Sequence, residues 1–135
     1  GDPADGPHGR RVKVNILVIE DDASVRRAMS RILTTAGHRV VEAENGAVGL
    51  RLVRDEDFHL VVTDILMPEK EGIETIMELR ERLPGLKILA VSGGFPTDRE
   101  GTLADAEALG ADASLAKPFS VEEFKEAVER LIQEA

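Results

Sequence analysis

Five short apolar runs punctuate this chain: VKVNILVI at residues 12–19, RVVEA at 39–43, FHLVVT at 58–63, LKILAV at 86–91 and ASLA at 113–116. Each has the length and the Val, Ile and Leu content of a strand. Between them the apolar period lengthens to that of a helix. Val25, Ala28, Met29, Ile32 and Leu33 mark one inner face, and Gly37 closes that helix. Asn45 caps a second helix, whose inner face offers Ala47, Leu50 and Val53. A third carries Ile73, Ile76, Met77 and Leu83 and stops at Pro84-Gly85, and an Ala-rich fourth ends near Gly110. Ser120 and Glu123 form a capping box for a fifth, which buries Val121, Phe124, Val128 and Leu131.

Strand and helix thus alternate five times. That pattern predicts a parallel sheet with helices on both faces, joined by right-handed crossovers. The fold class is α/β: a flavodoxin-like three-layer sandwich with five strands and five helices. At 135 residues the chain is one domain, placed at residues 12–135. Residues 1–11, GDPADGPHGRR, have no periodicity and read as a flexible tail or expression remnant, with His8 incidental.

Charge narrows the partners. Twenty-six acidic against 17 basic residues give a net charge of −9, which disfavours nucleic acid and anionic membrane. The chain has no cysteine, so thiolate metal sites and disulfides are excluded. No apolar stretch has the length of a membrane span.

Four of the runs end on chemistry. The first leads into Glu20-Asp21-Asp22, the third ends at Asp64, the fourth at Ser92 and the fifth at Lys117. An open parallel sheet gathers the carboxyl ends of its strands at one edge, where ligands bind. Glu20, Asp21 and Asp64 would crowd there, and one would keep its proton unless a cation intervened. An all-oxygen donor set suits Mg²⁺. Lys117 adds a positive charge and Ser92 a hydrogen-bond donor, which makes a receptacle for a tetrahedral anion beside a carboxylate nucleophile.

The acidic pair after the first strand, the D-x-x-M-P-x-x-x-G segment at Asp64, Met67, Pro68 and Gly72, the hydroxyl at Ser92 and the Lys117-Pro118 pair stand in one order. In that order the chain resembles the receiver (CheY-like) domain of bacterial two-component response regulators, over residues 14–134. The resemblance implies strand order 2-1-3-4-5 and a cytoplasmic phosphorelay switch that is not a turnover enzyme. Asp64 would accept a phosphoryl group from a sensor histidine kinase or a histidine phosphotransfer protein. Asp21, Asp64 and the backbone carbonyl of Leu66 would hold Mg²⁺, with Glu20 acting through water. Lys117 and Ser92 would bind the phosphoryl oxygens. The Lys117–Pro118 bond would be cis. A downstream protein, or an effector domain of a longer chain, would read the face formed by the fourth helix, the fifth strand and the fifth helix.

Three positions depart from the family. Ser114 stands where receivers carry a mobile aromatic or His. Leu66 and Gly94 stand where others place polar side chains that steer a hydrolytic water, so slow dephosphorylation is expected. The stretch from Ser92 to Lys117 is slightly longer than the common pattern, with Gly93-Gly94-Phe95-Pro96 in front, and Phe95 in that glycine-loosened loop is a switch candidate beside Ser92 and Ser114. Competing readings are a Mg²⁺-dependent phosphatase or nuclease, and a degenerate receiver acting only by binding. Leu66, two residues after Asp64, argues against the first, because those enzymes want a second Asp there. The intact acceptor set argues against the second. Asp22 reads as a helix cap, and Met67 as packing. His38 and His59 read as surface residues, and Arg26, Arg27 and Arg31 as a solvated face on which a kinase would dock.

Overall fold

The computed structural model describes residues 13–65, 71–92, 107, 108 and 110–134. Five parallel strands form one sheet in the order β2-β1-β3-β4-β5: β1 Asn15–Ile19, β2 Arg39–Ala43, β3 Leu60–Asp64, β4 Lys87–Ser92 and β5 Ala113–Ala116. Among the described residues four helices are complete: α1 Ala23–Thr35, α2 Gly46–Asp55, α3 Glu71–Arg82 and α4 Val121–Glu134. The expected Ala-rich helix lies mostly outside the described residues, with 107 and 108 helical.

The three central strands are apolar on both faces because helices cover both, and the alternation of side chains sorts them into two cores. Ile16, Val18, Leu60, Val62, Leu89 and Val91 pack under α1 and α4, against Met29, Leu33, Phe124, Val128 and Leu131. Leu17, Ile19, Val61, Ile88 and Ala90 point the other way and pack under α3, against Ile76 and Leu79. Phe119 stacks on Phe124 with ring centroids 5.4 Å apart.

The predicted caps are present. The Asn45 side chain accepts the Val48 N–H at 2.8 Å, and Gly37 closes α1 at φ +101°. Ser120 and Glu123 exchange bonds of 3.0 and 2.8 Å as a reciprocal box.

Several inner faces are rotated from expectation. On α2 it is Gly46 and Gly49, not Ala47, that face the sheet, because a Cβ at Gly49 would stand 2.4 Å from Cδ1 of Ile19. Met77, Leu83 and Val121 are exposed at 47%, 36% and 49%, while Leu79 and Ala127 take the buried positions.

At the far end of the sheet Arg80 fixes the approach to β5. Its guanidinium donates to the carbonyls of Pro84, Leu86 and Gly110 and to the Asp112 carboxylate, at 2.6–3.0 Å. Asp112 in turn accepts the Ile88 N–H at 2.7 Å, which ties the starts of β4 and β5 together.

His59 is exposed, but His38 is buried, against the surface reading. Parallel pairing of β1 with β2 gives Val14 a partner for its carbonyl, the Arg39 N–H at 3.0 Å. The Val14 N–H finds its own acceptor in Nδ1 of His38, at 3.2 Å. Burial holds the imidazole below its ordinary pKa, against the opposing pull of Glu129. A group with a lowered folded-state pKa contributes stability that is complete above the unfolded value, about 6.5, and declines below it. His38→Asn keeps an acceptor near Nδ1 and removes the titration. Its urea midpoint should therefore fall less than the parent's between about pH 7.5 and about pH 5.5. Parallel declines would remove His38 from the acid response.

Candidate functional site

Each central strand delivers one polar group to the same edge. β1 ends at Ile19, and the next residue, Glu20, stays only 1% exposed. Its N–H donates to the Ala43 carbonyl at 3.1 Å, so the chain leaves the sheet still anchored to β2. Asp21 is exposed. Asp22 then starts α1 as an N-cap, its carboxylate accepting the N–H groups of Ser24 and Val25 at 2.9 and 3.2 Å, as expected. Hydrogen bonds from the Ser24 hydroxyl and these amides hold its pKa below the ordinary value. Asp22 is spent on the helix.

β3 ends at Asp64, which is 5% exposed. β4 ends one register step further along, at the fully buried Ser92. The Ser92 carbonyl accepts the Lys117 N–H at 2.7 Å, which carries β5 one residue beyond its last pair and brings Lys117 to the site. The Lys117–Pro118 bond is cis, as expected. Nζ of Lys117 lies 2.7 Å from Oε1 of Glu20 and 3.0 Å from Oδ2 of Asp64.

Carboxylate oxygens of Glu20, Asp21 and Asp64 lie within 4.8 Å of one another. One polyvalent cation can reach all three, and the hard oxygen donors fit Mg²⁺. Burial pushes the Glu20 carboxyl up to about 7; the Lys117 hydrogen bond pulls it back, and the Asp64 charge adds to the rise. Burial and the neighbouring Asp64 charge thus both disfavour the charged form of Glu20. Burial pulls on Lys117 in the opposite sense, but its bonds to Glu20 and Asp64 prevail and hold the ammonium above its usual pKa.

Of the predicted site residues, Glu20, Asp21, Asp64 and Lys117 converge, and Ser92 ends β4 at the same edge of the sheet. Leu66 and Phe95 lie outside the described residues. Ser114 sits on β5 with its hydroxyl donating to the carboxylate of Glu107.

Arg26 corrects the reading of α1 as a simple solvated face. Its guanidinium folds back to the Glu20 carbonyl at 2.8 Å and to the Glu42 carboxylate at 3.0 Å. Arg27 and Arg31 are exposed as expected. The only sequence signal for Arg26 was its place one turn after the cap, which cannot foretell a contact with β2.

The profile of the response regulator receiver domain matches residues 16–129. The chain belongs to that family. It is 33% identical to the response regulator receiver protein CpdR of Brucella abortus, over 87% of this chain and 95% of that one. The probable transcriptional regulator ycf27 of Porphyra purpurea is 35% identical, over 91% of this chain and 49% of its own length. This receiver thus spans about half the length of the first transcriptional regulators it matches. Among solved structures, the response regulator TrrA of Thermotoga maritima in complex with Mg(2+)-BeF superposes with a TM-score of 0.76. It is 29% identical, over 89% of this chain and 99% of that one. The sheet order and the pocket at its carboxyl edge agree with a CheY-like receiver. Among the described residues no helix is long and apolar enough to cross a membrane.

Proposed function

We propose that this receiver is the phosphoacceptor of a two-component phosphorelay, with Asp64 as the residue modified. The observation that carries this reading is the grouping of Glu20, Asp21 and Asp64 around one point, with Lys117 bonded to two of them. An oxygen of Asp64 attacks the phosphorus of a phosphohistidine. The P–O bond forms, the P–N bond breaks, and the imidazole leaves with the electron pair. Mg²⁺ held by Asp21, Asp64 and the Leu66 carbonyl, with Glu20 reaching it through water, would supply charge neutralisation between carboxylate and phosphoryl oxygens. Lys117 then shifts its donation from the carboxylates to the incoming oxygens, and Ser92 adds a hydrogen bond. The chain modifies itself once and does not turn over external substrate.

A groove of about 330 Å³ beside this edge is lined by Val25, Ala28, Met29 and Ile32 of α1 and by Phe119 and Val121 at the start of α4. Val121 in its lining is exposed, and the basic residues Arg27 and Arg31 are exposed on α1. This apolar, basic-flanked face suits the helical phosphotransfer element of a sensor histidine kinase or phosphotransfer protein. The Ala-rich segment that precedes β5, β5 itself and α4 are the proposed output face toward a downstream protein or an effector domain, in the cytoplasm. Ser114 and Phe95 are the proposed switch positions.

The test is intact-mass measurement after incubation with phosphoramidate. One phosphoryl adduct is expected with Mg²⁺ and none with excess chelator. An adduct equal in both would remove the metal from the reaction.

A further inference from the structure

Every polar atom of Glu20 is gripped. Its N–H is held by the Ala43 carbonyl, Oε1 by Lys117 and Oε2 by the Asp22 N–H at 3.1 Å. The remaining atom, the backbone carbonyl, is held by Nη1 of Arg26 at 2.8 Å. Asp21 hangs on the peptide that this carbonyl begins. Among the described residues no hydrogen bond holds the Asp21 side chain itself, so the restraint nearest to it is that peptide plane, which fixes the backbone from which the side chain departs. Arg26 is in turn fixed by its Nε–H to Glu42 on β2, an ion pair of 3.0 Å whose arginine side chain is 16% exposed.

We infer that the Arg26–Glu42 pair positions Asp21 for the divalent cation by clamping the Glu20–Asp21 peptide, so that the pair sets the cation affinity of the site. The inference rests on the reading of the pocket as a Mg²⁺ site. Arg26 is a positioning residue: it touches a carbonyl, and neither the cation nor the phosphoryl group. Outer residues that orient metal ligands govern affinity through geometry. Charge alone predicts the reverse. Removing Arg26 leaves Glu42 negative and should strengthen cation binding if only the field mattered.

The neutral double substitution Arg26→Ala with Glu42→Ala separates the two, because net charge is unchanged. Mg²⁺ affinity is measured by calorimetry, and the Mg²⁺ dependence of phosphoryl uptake by intact mass. We expect the dissociation constant of the double variant to rise about 10-fold, in the range found for outer-shell ligand partners. The uptake rate at saturating Mg²⁺ should stay near that of the parent. Arg26→Lys, which can still donate to the carbonyl but cannot span both partners, should recover part of the affinity. Glu42→Gln, at an exposed carboxylate, keeps the fold and should weaken affinity less than the double variant. Affinity within about 2-fold of the parent in the double variant, with the parent binding Mg²⁺, overturns the inference and leaves the site reading intact. A parent that binds no Mg²⁺ overturns both.

Discussion

Asp64→Asn is expected to keep the fold and to acquire no phosphoryl group under conditions that modify the parent fully. The substitution preserves size at a position 5% exposed, and the carboxamide oxygen can still accept from Lys117 at the place where Oδ2 now lies 3.0 Å away. What it removes is the negative oxygen proposed to attack phosphorus. It also removes one of three crowded charges. The Asp64 charge is one of the causes that raise the Glu20 pKa, so in the metal-free protein Glu20 should move back toward its ordinary value. Stability without metal should therefore be equal to or above that of the parent, while Mg²⁺ binding weakens. Intact mass and urea midpoints, read side by side, check both halves. Modification of Asp64→Asn to the parent's extent would place the acceptor elsewhere, and loss of the fold would show that the carboxylate is needed structurally.

The site was more legible in the sequence than the packing around it. Strand-end residues are placed by topology, so Glu20, Asp64, Ser92 and Lys117 could be assembled from four apolar runs and the rule that parallel strands share an edge. β2 and β5 were read at their observed bounds, while β1 starts three residues later than expected, at Asn15. Caps at Asp22, Asn45 and Ser120 were readable because their partners lie two or three residues away. What failed was lateral. His38 was read as exposed because its partner, the Val14 N–H, lies 24 residues away in sequence. Arg26 was read as solvated because Glu42 lies on another element. Val121 and Met77 fit a helical apolar period, but they fall at the rim of their stripes, where period alone cannot say how far the neighbouring layer reaches.

Gly72 shows how a motif position acquires its reason. It is the second residue of α3 and is buried, and a Cβ there would stand 2.5 Å from the Asp64 carbonyl oxygen and 2.5 Å from Cα of Ile65. Both obstacles are backbone, and both belong to the segment that presents the acceptor. Gly49 is an instructive contrast: there the clashes, at 2.4 and 2.9 Å, are with Cδ1 and Cγ1 of the buried Ile19, so a side chain and not the backbone has to repack. Alanine at either helix position gains about 1 kcal/mol of helix propensity over glycine. At Gly49 that gain should offset most of the repacking, leaving stability within about 1 kcal/mol of the parent. At Gly72 the backbone must move, so Gly72→Ala should lose about 2 kcal/mol net, within the range for forced overpacking. The displaced segment is the end of β3, so the same variant should also take up phosphoryl groups more slowly and bind Mg²⁺ more weakly, whereas Gly49→Ala should match the parent in both. Urea midpoints together with adduct formation rates distinguish the pair. If Gly72→Ala is as stable and as reactive as Gly49→Ala, close approach of α3 to the Asp64 backbone does not hold the acceptor in place.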